Sequence, residues 1–358
     1  MKARDIASRE LGRAVGRVQT SWSSAPQDDL FCPPHQSLQG AAVARSNSQL
    51  SEVTPLERIA YLWRLLYVNF ERRHLIGEIF EACANDLDFY RGAFSAGTGR
   101  DLQDARILEI GYGQRPFRLI LLHSLGYDVR GVDLDRPLLS LNPLAVASVL
   151  RTNGALRATK SLVRCIAFDR AHYRAFDQFI RERYGKTLSL APQTMLVGDA
   201  SSSAIWSQAG KPLDFVYSDN VVEHIPRELL ATVLAQAADA LSDLGLAVIA
   251  PMVYTGIAGG HDLGWGPHEV DVESLPRGPA WGHLTGESRP ADTYLNKMTL
   301  RDYRELFSER FDIVREQRTF GEIGRRFLTA DRRQLLRDFS EEELFSNHIR
   351  FVLRKKAR

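Results

Sequence analysis

The sequence has no apolar run long enough to cross a membrane. Its two longest apolar stretches, residues 117–122 and 246–254, have the length of a buried strand or a short helix. The N-terminus also lacks the continuous apolar stretch of a secretory signal, and Asp5 and Glu10 argue against a transit peptide. We therefore expect a soluble protein with no membrane partner.

The sequence is also poor in cysteine. Its 358 residues include three cysteines, Cys32, Cys83 and Cys165, with no CxxC pair and no histidine pair nearby. This pattern indicates neither a disulfide framework nor a zinc site. It is typical of a protein kept in a reducing compartment, so a cytoplasmic location is predicted.

An excess of one charge is missing as well. Lysine and arginine total 46 against 44 aspartates and glutamates, which gives a formal net charge of +2. No basic stripe with interleaved aromatic residues runs along the chain. The composition therefore gives no support to a nucleic-acid partner or to binding at an anionic membrane.

What the sequence does contain is a β-α-β unit. Residues 107–110 are predicted to form a buried strand, Gly111 and Gly113 to make a tight turn, and residues 116–125 to form a helix that begins with proline. Residues 128–132 are predicted to form the next strand. Glycines between a strand and a helix let a ligand approach the backbone and the free N–H groups of the helix N-terminus.

Two classes of ligand fit such a unit. A dinucleotide fingerprint requires a third glycine where this chain has Pro116, so GxGxxG is not met. Instead, Glu109 precedes the glycines and Asp133 ends the second strand. The order Glu-Ile-Gly-Tyr-Gly resembles the first motif of the class I S-adenosylmethionine (SAM) dependent methyltransferases. The resemblance implies that Glu109, Gly111, Gly113 and Asp133 hold SAM, Asp133 through the ribose hydroxyls. A nucleotide site of the dehydrogenase type remains the alternative at this point.

A further acid follows a strand later in the chain. Residues 194–197 form a short predicted strand that leads into Gly-Asp-Ala. The resemblance implies that Asp199 accepts from the adenine amino group, with the backbone of Ala200 beside the ring. An ordinary turn aspartate is the alternative. Because ligands bind at the carboxyl ends of parallel strands, the succession of these acids favours the binding function.

The fourth predicted strand, residues 213–217, leads into the second strong match. Asp219 and Asn220 form the turn that follows it, and residues 221–225, Val-Val-Glu-His-Ile, are predicted to open a helix. The resemblance implies that Asp219 and Asn220 lie beside the reacting end of SAM. We assign catalysis to Asp219 and to His224, because imidazole titrates near neutral pH and can take a proton from the acceptor. Packing of His224 under the loop is the alternative.

Three regions are predicted along the chain. Residues 1–53 form an N-terminal arm or linker, and residues 54–100 form a helical lead-in that starts with a capping box. Residues 101–358 form the SAM-binding domain, with insertions at 136–192 and 253–297. Both insertions are longer than a plain crossover or loop needs.

The first insertion is basic and has helical periodicity in residues 138–150 and 171–184. A helical cap is predicted there, and its charges are expected to face solvent more than substrate. The second insertion is the predicted substrate pocket, because the segment after the fifth strand borders the acceptor in the resembled family. No pair of histidines in it has helical metal-ligand spacing, so no metal is predicted. The candidate substrate residues are His261, Trp265, His268, Trp281, His283 and Tyr294.

The remaining segments complete a sheet. After a helix and a turn at 242–245, residues 246–252 are predicted to form the fifth strand, and residues 311–315 and 348–353 the last two. The predicted fold class is α/β, with a doubly wound, seven-stranded, mostly parallel Rossmann-like sheet, an N-terminal helical segment and helical insertions.

The predicted function is transfer of a methyl group from SAM to an oxygen or nitrogen atom of a small metabolite, with S-adenosylhomocysteine (SAH) as product. Nucleic-acid amine methyltransferases are expected to show an Asn- or Asp-Pro-Pro-aromatic motif after the fourth strand, and this chain has none. A nucleotide-fold binding protein without transfer activity and an NAD-type oxidoreductase are the alternatives. A homodimer and a monomer both remain open.

Overall fold

The computed structural model describes residues 76–262, 264–266, 270, 277–288 and 293–356. The predicted arm, the first part of the helical lead-in and the candidate substrate residue His268 lie outside the described residues.

Seven strands form one sheet: β1 (Arg106–Ile110), β2 (Asp128–Asp133), β3 (Met195–Val197), β4 (Leu213–Asp219), β5 (Leu241–Ala250), β6 (Phe311–Arg318) and β7 (Ile349–Lys355). Their order across the sheet is β3-β2-β1-β4-β5-β7-β6. Strands β1 to β5 are parallel, and β7 is antiparallel to both β5 and β6. The strand order reverses between β1 and β4, so their carboxyl ends flank a crevice where ligands bind in such sheets. The predicted fold class is confirmed.

Helices cover both faces of the sheet. The described α-helices are α1 (Ile76–Thr98), α2 (Phe117–Ser124), α3 (Pro143–Asn153), α4 (Ala155–Arg164), α5 (Arg170–Tyr184), α6 (Ser203–Ala209), α7 (Arg227–Ala240), α8 (Gly282–Thr285), α9 (Leu300–Ser308), α10 (Ala330–Leu335) and α11 (Glu341–Leu344). Within the described ranges, no helix combines the length and the apolar character needed to span a membrane.

Two hydrophobic cores hold these layers together. On one face, α1, α2 and α5 pack on the sheet, and the rings of Phe80 and Phe176 meet with centroids 4.7 Å apart. On the other face, α6, α7 and α9 pack through residues that include Trp206, Leu234 and Phe307. Apolar residues on both faces of the central strands account for the continuous hydrophobic runs of their sequences.

The first insertion differs from its predicted form. The helix expected over residues 138–150 begins at Pro143, because Asn142 caps its first turn and proline is favoured at the first helical position. A second helix, α4, was not predicted. It starts directly after Gly154, whose φ of 78° breaks the preceding helix, and a π-helical turn at Cys165–Asp169 joins it to α5.

Two boundaries after β4 also differ. Residues 221–225 do not open an α-helix; a short 3-10 turn, Val222–His224, precedes Pro226, and α7 starts after that proline. Proline disfavours helical geometry in the residue before it. The turn predicted at 242–245 lies inside β5, where a register shift against β4 lets these residues bulge out of the sheet.

Candidate functional site

The glycine turn after β1 lies at the centre of the crevice. Gly111 has a φ of +80°, and a Cβ atom placed on it would lie 2.4 Å from the side chain of Val221. Only glycine therefore lets the turn after β1 pack against the turn after β4. Gly113 has a φ of +66°, and a Cβ there would meet no atom within 4 Å. The backbone at Gly113 thus faces open space, as close approach by a ligand requires.

Asp133, at the end of β2, holds this turn. Its two carboxylate oxygens accept from the backbone N–H groups of Gly113 at 2.9 Å and Asp135 at 3.0 Å. Burial raises the pKa of Asp133, and these backbone donors offset part of that rise. Each carboxylate oxygen still has a second lone pair. Asp133 can therefore brace the glycine turn and accept a ligand hydroxyl at the same time.

Asp199 lies on the neighbouring strand. Val197, at the end of β3, is paired with Asp133, and the N–H of Gly198 donates to the Asp133 carbonyl at 2.9 Å. The half-buried Asp199 carboxylate accepts from the N–H of Ser201 at 2.8 Å. The carbonyl of Ala200 accepts from the indole of Trp206 at 2.7 Å. The acids that follow β2 and β3 therefore lie at one edge of the sheet.

The last residue of β4, Asp219, has a different environment from the one expected. Its side chain is 3 % exposed and accepts from Arg118 at 3.0 Å. It also accepts from the side-chain amide of Asn220 at 2.6 Å. Asp219 is therefore tied to its neighbours by an ion pair and a hydrogen bond, and its predicted catalytic role stays a prediction. It fixes the exposed Asn220, whose backbone has a φ of 56°.

A buried ionic network underlies Asp219. Arg118 on α2 also donates to Asp86 on α1 at 2.6 Å, and Arg350 on β7 pairs with the other oxygen of Asp86. None of these residues was predicted from the sequence, although two features of it indicated buried charges. Arg118 lies within a mostly apolar helix, and Asp86 lies on the buried face of α1, between Cys83 and Tyr90.

Glu109 is a buried residue beneath the glycine turn. It is 5 % exposed and stands beside Tyr217 in the pairing of β1 with β4. Burial raises the pKa of Glu109 to about 7, even though the charge of Arg118 favours ionisation. Glu109 therefore lies behind the backbone that faces the crevice.

His224 lies in the 3-10 turn after β4. Its Nδ1 is 2.9 Å from the carbonyl oxygen of Tyr294, which can only accept, so Nδ1 carries the proton and Nε2 has the free lone pair. Burial lowers the pKa of His224. The ring is therefore neutral near pH 7 and can act as a base or a ligand through Nε2.

Two residues from different segments stand next to His224. The ring of His261 meets that of His224 with centroids 5.0 Å apart, and its Nε2 is 3.9 Å from a carboxylate oxygen of Glu223. Burial lowers the pKa of His261 to about 4 and raises the pKa of Glu223 to about 8. Glu223, which is 3 % exposed, was not predicted as a site residue. The only signal for it was its place directly before His224.

The other predicted substrate residues divide into two groups. Trp265 and Trp281 belong to a separate hydrophobic cluster and are 4 % and 0 % exposed, so they are packed among apolar side chains, and their predicted contact with substrate stays a prediction. His283, by contrast, lies near His261, and its Nε2 is held by the carbonyl of Tyr254 at 2.8 Å. Tyr294 supplies the carbonyl that orients His224.

The basic insertion docks on the glycine loop. Arg115 in the loop and Arg164 in α4 both bind Asp169, at 2.6 and 2.9 Å, and the Asp169 side chain is 1 % exposed. Arg157 pairs with Asp135 at 2.8 Å. These basic groups are therefore paired with acids of this chain, as a structural cap requires.

No protein-family model and no curated protein matches this chain. Among solved structures, it is similar to the plantazolicin methyltransferase BamL in complex with a triazolic desmethylPZN analog and SAH, with 11% identity over 89% of this chain and 98% of that chain and a TM-score of 0.42. It is also similar to magnesium protoporphyrin IX methyltransferase (ChlM) from Synechocystis PCC 6803 with bound SAH, with 14% identity, coverage of 81% and 95%, and a TM-score of 0.37. A SAM-dependent methyltransferase from Archaeoglobus fulgidus shows 13% identity, coverage of 81% and 99%, and a TM-score of 0.38.

These identities and TM-scores are too low to assign a fold. The fold is therefore assigned from the strand order of this chain and from the residues at the edge of its sheet. Five parallel strands are followed by an antiparallel pair, and the last strand is inserted beside β5. The chain has a doubly wound, Rossmann-like α/β fold.

Proposed function

We propose that the protein is a SAM-dependent methyltransferase that acts on an oxygen or nitrogen atom of a small molecule. The observation that carries the proposal is the shared edge at the carboxyl ends of β1, β2, β3 and β4. This edge carries a glycine turn with an open side after β1, Asp133 at the end of β2, Asp199 after β3 and Asn220 after β4. Ligands bind at this position in open α/β sheets.

The residues present fit SAM. The open side of Gly113 admits a ligand against the backbone, and Asp133 retains lone pairs for two ribose hydroxyls. Asp199 is placed to accept from an adenine amino group, and Asn220 lies at the end where the sulfonium would be. Glu109 supports the turn from behind, so its contribution to binding is positional.

The chemistry is an in-line displacement. A lone pair of the acceptor forms a bond to the methyl carbon, the bond from that carbon to sulfur breaks, and sulfur leaves as a neutral thioether. Since the methyl group of a sulfonium is already activated, positioning supplies most of the rate enhancement. An acceptor hydroxyl or ammonium must also lose a proton, and the neutral Nε2 of His224 is available to take it.

The acceptor pocket is proposed to lie beyond the turn after β4, bordered by His224, His261, His283 and Tyr294. These residues combine aromatic surface with a few fixed polar atoms, as small-molecule sites do.

Calorimetric titration of SAH tests the cofactor. We expect binding to the wild-type protein and none of NAD. Asp133→Ala and the isosteric Asp133→Asn should weaken SAH binding by about tenfold to a hundredfold, because a hydrogen bond to a charged group is lost. Asp128→Ala, at the exposed opposite end of the same strand, is the control and should bind SAH like the wild type. Unchanged affinity in both Asp133 variants would exclude the ribose assignment.

A binding protein without transfer activity is separated from an enzyme by product formation. The wild-type protein should convert SAM to SAH when it is offered a pool of small phenols, alcohols and amines. His224→Ala should lower the turnover number by more than tenfold while SAH affinity stays within about twofold, as expected for a group that acts only on the proton. SAH binding with no turnover on any acceptor would favour the binding protein.

A further inference from the structure

We infer that Glu223, His224 and His261 form a binding site for a divalent transition-metal ion. No such site is predicted from the sequence, because the histidines are far apart and lack metal-ligand spacing. The fold brings them together, since the turn after β4 carries Glu223 and His224 and the loop after β5 returns with His261 beside them.

The geometry of the three side chains suits a single ion. One potential ligand atom from each residue lies within 4.8 Å of the other two. The His261 Nε2 and the nearer Glu223 oxygen are 3.9 Å apart. Two ligands of a tetrahedral zinc ion are separated by about 3.3 Å, given bonds of about 2.0–2.2 Å. The ligand atoms would therefore approach one another by up to about 1.5 Å when an ion binds.

Glu223 is the observation that points to a ligand. Among the described residues, no side chain donates a hydrogen bond to either of its carboxylate oxygens, and the Nε2 of His261 likewise has no hydrogen-bond partner. In the described part of the chain, only the backbone N–H groups of Glu223 and Met252 stabilise this carboxylate, so it has no cationic partner, and buried charges in native proteins are paired or coordinate metals. A cation between Glu223 and His261 would satisfy both groups.

His224 has the orientation of a metal ligand. Histidines that bind metals usually donate their other ring N–H to a carbonyl or a carboxylate, which fixes the ring and its tautomer. The Nδ1–H of His224 donates to the Tyr294 carbonyl in this way, so its Nε2 is left as the ligand atom.

The donor set identifies the class of metal. Two imidazoles and one carboxylate suit zinc, iron(II), cobalt(II) or manganese, whereas calcium and magnesium sites are built from oxygen ligands. Three protein ligands leave at least one position open, as in catalytic zinc sites.

An ion at this site would also act on the methyl acceptor. This part of the inference rests on the proposed function. The ion would occupy Nε2 of His224, so that in the metal-bound protein His224 would be a ligand and the ion would replace it in activating the acceptor. The ion would bind an acceptor hydroxyl through its oxygen. It would lower the pKa of that hydroxyl, so that the proton passes to water before the methyl group is transferred. An oxygen acceptor is then favoured over an amine.

Cobalt(II) is the probe for the test, because its visible absorption reports nitrogen and oxygen coordination. Full-length protein freed of metal by a chelator should bind one cobalt ion per chain, and zinc should displace it. His261→Ala and Glu223→Gln should each abolish this absorption. His123→Ala removes an exposed histidine of α2 and should leave it unchanged.

Two further measurements make the result decisive. In the metal-free state, Glu223→Gln should melt at or above the wild-type temperature, because an unpartnered buried acid has been removed, which shows that lost metal binding is not lost folding. SAH titration of the same variants reports the cofactor site separately, so the two proposals can fail independently. The metal site would be overturned if the wild type bound no stoichiometric cobalt, or if both variants bound cobalt as the wild type does.

Discussion

At the scale of single residues, the carboxylates at the edge of the sheet differ in their surroundings and therefore in their roles. Asp133 accepts two backbone N–H groups and braces the glycine turn. Asp219 is neutralised by Arg118, whereas Glu109 and Glu223 are buried with little compensation. These four acids are thus a ligand-binding candidate, a residue held in an ion pair, a supporting residue and a proposed metal ligand.

Glu109 gives a prediction about pH. Its pKa is about 7 in the folded protein against 4.5 for the unfolded chain, so between these values the folded state binds more protons and stability falls as pH rises. Glu109→Gln has no such titration. Its free energy of unfolding relative to the wild type should rise across this window, by about 3 kcal/mol in total.

Urea denaturation at a series of pH values measures this difference. Glu309→Gln, at an exposed acid, is the control and should give a constant difference from the wild type. A Glu109→Gln difference that does not change between pH 5 and 8 would show that Glu109 is ionised as easily in the fold as outside it.

At the scale of elements, the insertion between β2 and β3 is tied to the glycine loop by one buried acid. Asp169 in the π-helical turn binds Arg115 of the loop and Arg164 of α4. A short π-helical stretch inside a longer helix is often found at functional positions. Here it turns Asp169 toward the loop that is proposed to hold the cofactor.

Asp169→Asn should therefore lower stability and loosen the loop. We expect a loss of about 2 kcal/mol, which is less than for a fully buried pair because both arginines are about a quarter exposed. Hydrogen exchange should quicken in α4 and in the glycine loop, and SAH affinity should fall.

Glu182→Gln, on the exposed side of α5, is the matched control and should stay within about 0.5 kcal/mol of the wild type. Exchange that quickens in α4 alone would mean that the insertion does not support the loop.

At the scale of the whole molecule, the Asp86, Arg118, Asp219 and Arg350 network joins segments from both ends of the described chain. It links α1, α2, β4 and the last strand, β7, beneath the crevice. The antiparallel insertion of β7 beside β5 is what brings Arg350 to this place. The end of the chain therefore takes part in supporting the site.

Breaking this network should be costly. Asp86→Asn removes the carboxylate that Arg118 and Arg350 share and should lower the free energy of unfolding by about 3 kcal/mol. In the double variant with Asp86→Asn and Arg350→Gln, the loss in free energy of unfolding should be smaller than the sum of the two single losses, by about 1 kcal/mol or more. Urea denaturation of the four proteins of this cycle measures the coupling, and strictly additive losses would show that the two groups do not act together.

The sequence by itself determined the β-α-β core, the glycine turn and the succession of acids after the strands. These features depend on local signals, because buried runs, glycines and caps act within a few residues. The doubly wound arrangement of seven strands was implied by the resemblance to the methyltransferases, and the strand order confirms it. The helix α9 shows the same local control, because Thr299 and Asp302 form a capping box at its start.

Only the tertiary structure decided which polar groups meet. Asp219 is paired with Arg118, which lies about a hundred positions away in the chain. Glu223 and His261 became candidate ligands because two loops converge at the carboxyl edge of the sheet. Such contacts depend on the register of strands and the path of long loops, and no spacing in the sequence encodes either of them.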